Sequence, residues 1–117
     1  MLIQDEAQNA FVLNCPPGHH TYADRGGGFC YLNNAAILAR YLQMHGMEKI
    51  MIIDWDAHHG NGTESIFYDD PSVLYATIHH VFSLCGTGEL HDTGRQQGKP
   101  AHNNIPASAG YSPRHIR

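Results

Sequence analysis

No stretch of this 117-residue chain approaches the roughly 20 consecutive apolar residues that a membrane-spanning helix requires. Basic residues are scarce too: seven Lys and Arg face eleven Asp and Glu, a formal net charge of −4 with neutral histidines, and no basic cluster. The chain therefore lacks the electrostatic footprint of direct nucleic acid binding. Met1-Leu2-Ile3-Gln4-Asp5-Glu6 has no basic start of the signal-peptide kind, so a cytoplasmic location with no membrane association is expected. The three cysteines, Cys15, Cys30 and Cys85, are odd in number and lack Cys-x-x-Cys spacing, which argues against a disulfide framework and a Cys-based zinc centre. They read as reduced, partly buried thiols.

Histidine, by contrast, is plentiful at ten residues, and its placement is informative. Asp54-Trp55-Asp56-Ala57-His58-His59-Gly60-Asn61-Gly62 follows the apolar run Ile50-Met51-Ile52-Ile53. Such a run suits a strand covered on both faces. If the extended conformation persists, Asp54, Asp56 and His58 point the same way. Carboxylate oxygen and neutral imidazole nitrogen are zinc ligands, and Asp56 with His58 supplies two of the three protein positions that a catalytic zinc uses. Asp54 would stand behind them. Asn61 and Glu64 have the chemistry and offset of an N-cap and its reciprocal partner, so a helix is expected to start there. Capping explains neither the two acids nor the two histidines beside an apolar strand, where unpaired charge is expensive.

A second constellation lies upstream, Pro16-Pro17-Gly18-His19-His20, followed by Gly26-Gly27-Gly28-Phe29-Cys30-Tyr31-Leu32-Asn33-Asn34-Ala35. Taken with Asp54 to Gly62, these segments resemble the zinc-dependent histone deacetylase and acetylpolyamine amidohydrolase family, over about Asn9 to Pro106. The resemblance implies roles residue by residue. His19 and His20 match the tandem active-site histidines, Asp56 and His58 match two of three zinc ligands, and Asp54 matches the carboxylate that orients the first histidine. Asn61 falls where a carboxylate or an asparagine orients the second, the asparagine form being that of class II-like and many bacterial members. Gly28 and Phe29 match the wall of a narrow substrate channel. A potassium ion is implied as well, at the places held by Asp54, Asp56, His58, Thr77 and Ile78. The implied reaction is hydrolysis of an acetyl-lysine peptide or an acetylpolyamine to acetate and a free amine.

Departures from the pattern are equally specific. Leu84 stands where the family usually has the opposite aromatic wall, in Ser83-Leu84-Cys85 before Gly86-Thr87-Gly88. The family's third zinc ligand, an aspartate, and its transition-state tyrosine both lie beyond the equivalent of Arg117, and neither Asp92 nor Tyr111 has the surrounding motif. The expectation is a partial deacetylase domain over residues 1–117, without the family's first strand and C-terminal half. Such a chain would be inactive alone, prone to self-association, or dependent on a complementing C-terminal segment. Two other readings stay open: a non-catalytic remnant or interaction module, and an arginase-type ureohydrolase. The latter uses an Asp-x-His-x-Asp pattern, and position 60 is Gly.

The predicted fold is an α/β fragment of the arginase and deacetylase kind, a parallel β-sheet flanked by helices. Phe11 to Cys15 reads as a first strand, Tyr31 to His45 as a helix with Ala35, Ala36, Leu38, Ala39 and Leu42 on its apolar face, and Gly46 as its stop. Ile50 to Trp55 reads as a strand, Thr63 to Tyr68 as a short helix, Ser72 to His79 as a strand, and Asn103 to Ile105 as a short strand in a loop-rich tail.

Overall fold

The computed structural model describes residues 7–80, 88, 91 and 102–107. Helix α1 spans Asn34–Met44, β1 Ile50–Asp54, α2 Asn61–Phe67, β2 Val73–His80 and β3 His102–Ala107. The strands form one parallel sheet in the order β1-β2-β3, with Asp54 beside Thr77 and Ile78 beside Ile105.

Helix α1 starts where its sequence supplies a cap. The Asn33 side chain accepts from the Ala36 backbone amide at 3.0 Å, satisfying one of the amides that a helix start leaves without a partner. Its amide nitrogen donates to Thr21 O and to Thr63 Oγ1, both at 3.0 Å, so the cap also ties the helix to two other segments. At the far end Gly46 N–H donates to Gln43 O and Met47 N–H to Leu42 O, the paired closure that a glycine in the left-handed region permits.

The core is the contact of the helices with one sheet face. Ala36, Ala39, Phe67 and Val73 are buried together, with Ile50, Ile52 and Ile66 packed against them. Strand β2 alternates cleanly: Val73, Tyr75, Thr77 and His79 point into the core face and are buried.

Several sequence expectations need correcting. Residues 11–15 form no strand; Phe11, Val12 and Leu13 are 88, 72 and 88% exposed, because no described strand lies alongside to pair with them. Strand β1 is covered on one face rather than two, since Met51 and Ile53 are more than half exposed while Ile50 and Ile52 turn inward. Leu38 lies on the exposed side of α1, leaving Ala36 and Ala39 as its buried residues. The N-cap of α2 is Gly60, not Asn61, and makes no side-chain cap bond. The backbone carbonyl of His19 takes that role, accepting from Gly62 N–H at 3.0 Å and Thr63 N–H at 3.1 Å. Leu84, Asp92 and Tyr111 lie outside the described residues.

Candidate active site

Strand β1 ends at Asp54, so Asp56 and His58 stand on the loop that follows rather than on a continued strand. The turn is set locally: Asp56 N–H donates to Asp54 Oδ1 at 3.1 Å, and His58 N–H donates to Asp56 Oδ1 at 2.8 Å. This loop leaves the carboxyl end of the sheet, the edge at which open α/β sheets bind ligands. The loop carrying His19 and His20 is held against it by the α2 amides.

Each of the paired histidines has a different oxygen partner. His19 Nδ1 donates to Asp54 Oδ2 at 2.9 Å, and His20 Nδ1 donates to Asn61 Oδ1 at 2.7 Å. The two rings lie 4.1 Å apart between centroids, and the His58 ring lies 6.2 Å from that of His20. Burial works against a charged His19, yet the hydrogen bond and charge of Asp54, with the charge of Asp56, outweigh it and hold the imidazole above its ordinary range. Burial likewise opposes charge on Asp54, but donors from His19, the Asp56 amide and Tyr75 hold its carboxyl below the ordinary range. Asp56 is also held low, its partial burial outweighed by hydrogen bonds from the His58 amide and ring.

Behind each oxygen partner stands a tyrosine. Tyr75 Oη donates to Asp54 Oδ2 at 2.9 Å from a fully buried position. Burial above all, then the Asp54 charge, push that hydroxyl far above its ordinary range, so it remains a donor. Asn61 Nδ2 donates to Tyr22 Oη at 2.8 Å. Neither tyrosine stands out by spacing or by a local motif. Their partners are 21 and 39 residues away in sequence, so only the folded chain reveals them.

Phe29 and Gly28 sit at the tip of a tight turn closed by reciprocal bonds between Gly27 and Cys30, of 3.1 and 2.8 Å. Both have positive φ, 52° for Gly28 and 63° for Phe29, as a two-residue hairpin turn of the mirror-image kind requires. For a phenylalanine that conformation costs about 1–3 kcal/mol. The ring is 97% exposed, so Phe29 is not a core residue. With Pro17, His19, His20, Asp56, His58 and Asn61 it lines one open cavity.

Asp56 Oδ1 and His58 Nδ1 are 3.0 Å apart at this cavity. Two ligands about 2.0–2.1 Å from one tetrahedral zinc stand roughly 3.3 Å apart, so the pair fits such an ion to within a few tenths of an ångström. Among the described residues no group of three or more His, Cys, Asp or Glu side chains is arranged to hold a metal. The other histidines serve elsewhere. His59 Nε2 donates to Glu64 Oε2 at 3.0 Å, His79 Nε2 donates to Gly88 O at 3.0 Å, and both rings are buried, whereas His45, His80 and His91 are exposed.

Parallel strands, helices packed on the sheet and a polar site in the loops at the carboxyl edge define an α/β fold of the arginase and deacetylase type. Residues 1–117 match the histone deacetylase domain, and the chain belongs to that family. A probable deacetylase of Archaeoglobus fulgidus is 45% identical over 109 residues, 93% of this chain and 30% of the relative. The HD domain of HDA15 superposes with a TM-score of 0.84 at 40% identity, over 90% of this chain and 31% of that one. An acetylpolyamine aminohydrolase from Burkholderia pseudomallei gives the same score and identity, over 92% of this chain and 32% of that one. The chain thus spans about a third of the length of these relatives.

Proposed function

We propose that this chain forms the histidine-bearing part of a zinc-dependent amidohydrolase that removes acetyl groups from acetyl-lysine peptides or acetylpolyamines. The observation that carries the reading is the convergence of two differently partnered histidines on the cavity that also holds the Asp56 and His58 donors. Asp56 and His58 would hold zinc, with a third ligand from outside the described residues. When bound, the ion supplies Lewis acidity at the amide carbonyl. The remaining work falls to residues of this chain. With Nδ1 of each histidine engaged by Asp54 or Asn61, Nε2 is the ring atom left to exchange a proton at the cavity. One imidazole takes a proton from water as its oxygen bonds to the acyl carbon. A proton then passes to the amine as the carbon–nitrogen bond breaks, giving acetate and a free amine. Phe29 supplies an aromatic wall for the aliphatic stem, with Gly28 beside it. Leu84, as the opposite wall, belongs to this reading from sequence alone.

A potassium ion near the main-chain oxygens of Asp54, Asp56, His58 and Ile78 and the Thr77 hydroxyl belongs to the same proposal. The strand register that sets Thr77 beside Asp54 supports it. The arginase alternative is disfavoured by Gly60. A side chain there would begin 2.3 Å from Tyr75 Oη and 2.6 Å from Asp54 Oδ2, leaving no room for a second acid.

The test has two arms. Zinc titrated into the chain should bind weakly and lose binding in Asp56→Ala and in His58→Ala; binding unchanged in both variants defeats the metal assignment. Acetate release from an acetyl-lysine peptide and from an acetylpolyamine should be absent with the chain alone and appear when the remainder of a relative's domain is supplied in trans. Robust turnover by the chain alone, abolished in Asp56→Ala, would show that no complement is needed.

A further inference from the structure

We infer that His59 is a positioning residue for the metal ligand beside it, the buried anchor that holds His58 at the cavity. The inference rests on the zinc reading proposed above and takes its content from the geometry behind the ligand pair. In this structure Asp56 and His58 steady one another, because the backbone N–H and the ring Nδ1 of His58 both donate to Asp56 Oδ1, at 2.8 and 3.0 Å. The ring bond cannot survive metal binding. A ring nitrogen that ligates a metal carries no proton, so Nδ1 then has nothing to donate to Asp56. The spacing of the two donors must come from the loop backbone instead.

Before His58 that backbone is held where Ala57 O accepts from the His80 N–H of β2 at 2.9 Å. After His58 it is held through a side chain. His58 is exposed, whereas His59 turns inward and is fully buried, so the two adjacent rings face opposite ways. His59 Nε2 donates to Glu64 Oε2 at 3.0 Å, and the buried Glu64 of α2 accepts at Oε1 from Asn104 Nδ2 of β3 at 2.7 Å. A carboxylate only accepts, so both bonds have a fixed direction. The Gly88 backbone lies against the His59 ring, where a methyl group would come within 2.6 Å of Cγ and 2.7 Å of Nδ1. The His79 ring stands 4.6 Å away between centroids. Packing alone does not call for a histidine here, since His59 Nδ1 has no hydrogen-bond partner among the described residues, a cost that a leucine would avoid. What the imidazole adds is a directed bond to Glu64. That bond ties the residue next to His58 to α2 and, through Asn104, to β3.

The experiment titrates zinc into the whole chain and its variants, reading affinity by competition with a chromogenic chelator. His59→Leu should bind zinc about tenfold more weakly, as when a residue that supports a metal ligand is removed, and Glu64→Ala should match it. His59→Gln offers an amide N–H near the place of Nε2 and should recover most of the loss. A merely structural role would lower stability to urea and leave the zinc affinity of the folded chain unchanged. A folded His59→Leu chain with wild-type affinity therefore overturns the inference, as does a His59→Gln chain that binds no better than His59→Leu. Should these variants fail to fold, the wild type decides. Coupling between two places is reciprocal, so saturating zinc should slow exchange of the His59 Nε2–H with solvent, also about tenfold. An exchange rate that zinc leaves unchanged overturns the inference. Zinc lost in Asp56→Ala but held in folded His59→Leu sinks this inference alone, whereas zinc binding indifferent to both Asp56→Ala and His58→Ala sinks it together with the metal assignment.

Discussion

The imidazole of His20 lies directly against the backbone of Gly28: a methyl group there would come within 2.2 Å of His20 Cδ2 and 2.5 Å of Cγ. Backbone and ring are in contact without any side chain between them, and Gly28 also has a φ of 52°. Gly28→Ala should therefore displace the ring rather than merely strain the turn. Displacement of a reacting group by about 1 Å costs on the order of 10²-fold in rate. Acetate release by the complemented enzyme should fall by about that factor, and a rate within about twofold of wild type would refute the contact's importance.

Phe29 combines a strained backbone with an almost fully exposed ring. Asparagine tolerates positive φ far better, and little burial is lost on replacement. Phe29→Asn should therefore raise the chain's stability to urea by about 1 kcal/mol while raising KM for an acetyl-lysine peptide in the complemented enzyme. Lower stability would show that the ring contributes more than the turn strain removes.

Tyr75→Phe deletes one hydroxyl, the donor to Asp54 Oδ2. Hydrogen bonds to charged groups contribute about 1.5–3 kcal/mol, and the site is too buried for water to replace this one. Chemical denaturation should show a loss in that range. A loss below about 0.5 kcal/mol would mean that Asp54 finds its charge support from His19 and the Asp56 amide alone.

Asp70 gives the pH dependence a handle far from the histidines. Its burial opposes charge, but the Ser72 hydroxyl and amide and the Arg40 guanidinium hold its carboxyl below the ordinary range. The folded value is the lower one, so the stabilisation is present above the unfolded value of about 3.9 and disappears as pH falls through the folded value. Because Arg40 is nearly half exposed, the contribution should be less than about 1 kcal/mol. In Asp70→Asn the urea midpoint should fall less steeply than in wild type between about pH 5 and pH 2. Parallel acid limbs would assign the slope to other carboxylates.

Much of this site is legible in the sequence because its contacts follow from short spacings. Asp56 and His58 are neighbours on one loop, and His19 with His20 form an adjacent pair. The loop that bears Asp56 and His58 also follows a strand that the apolar run Ile50 to Ile53 marks out. Long-range partners are the part that does not show. Nothing near Tyr22 in the chain announces Asn61, and nothing near Tyr75 announces Asp54. The expectation of Asn61 as helix cap has the same cause. Local chemistry favours it, but the His19 carbonyl satisfies the α2 amides, and the Asn61 side chain is free to reach His20 and Tyr22. The apolar segment at residues 11–15 and the exposed face of β1 show the opposite limit, since hydrophobicity identifies surface to be covered but does not provide the cover.

The two amides that meet at the His19 carbonyl have a consequence for how the molecule comes together. One oxygen atom joins the segment bearing the imidazoles to the first turn of α2, so neither can be released without the other losing its partner. Hydrogen exchange at Gly62 and Thr63 should accordingly report on the order of the histidine segment, the two opening as a single cooperative unit. The placing of the two imidazoles and the formation of the first turn of α2 are then coupled through one acceptor atom.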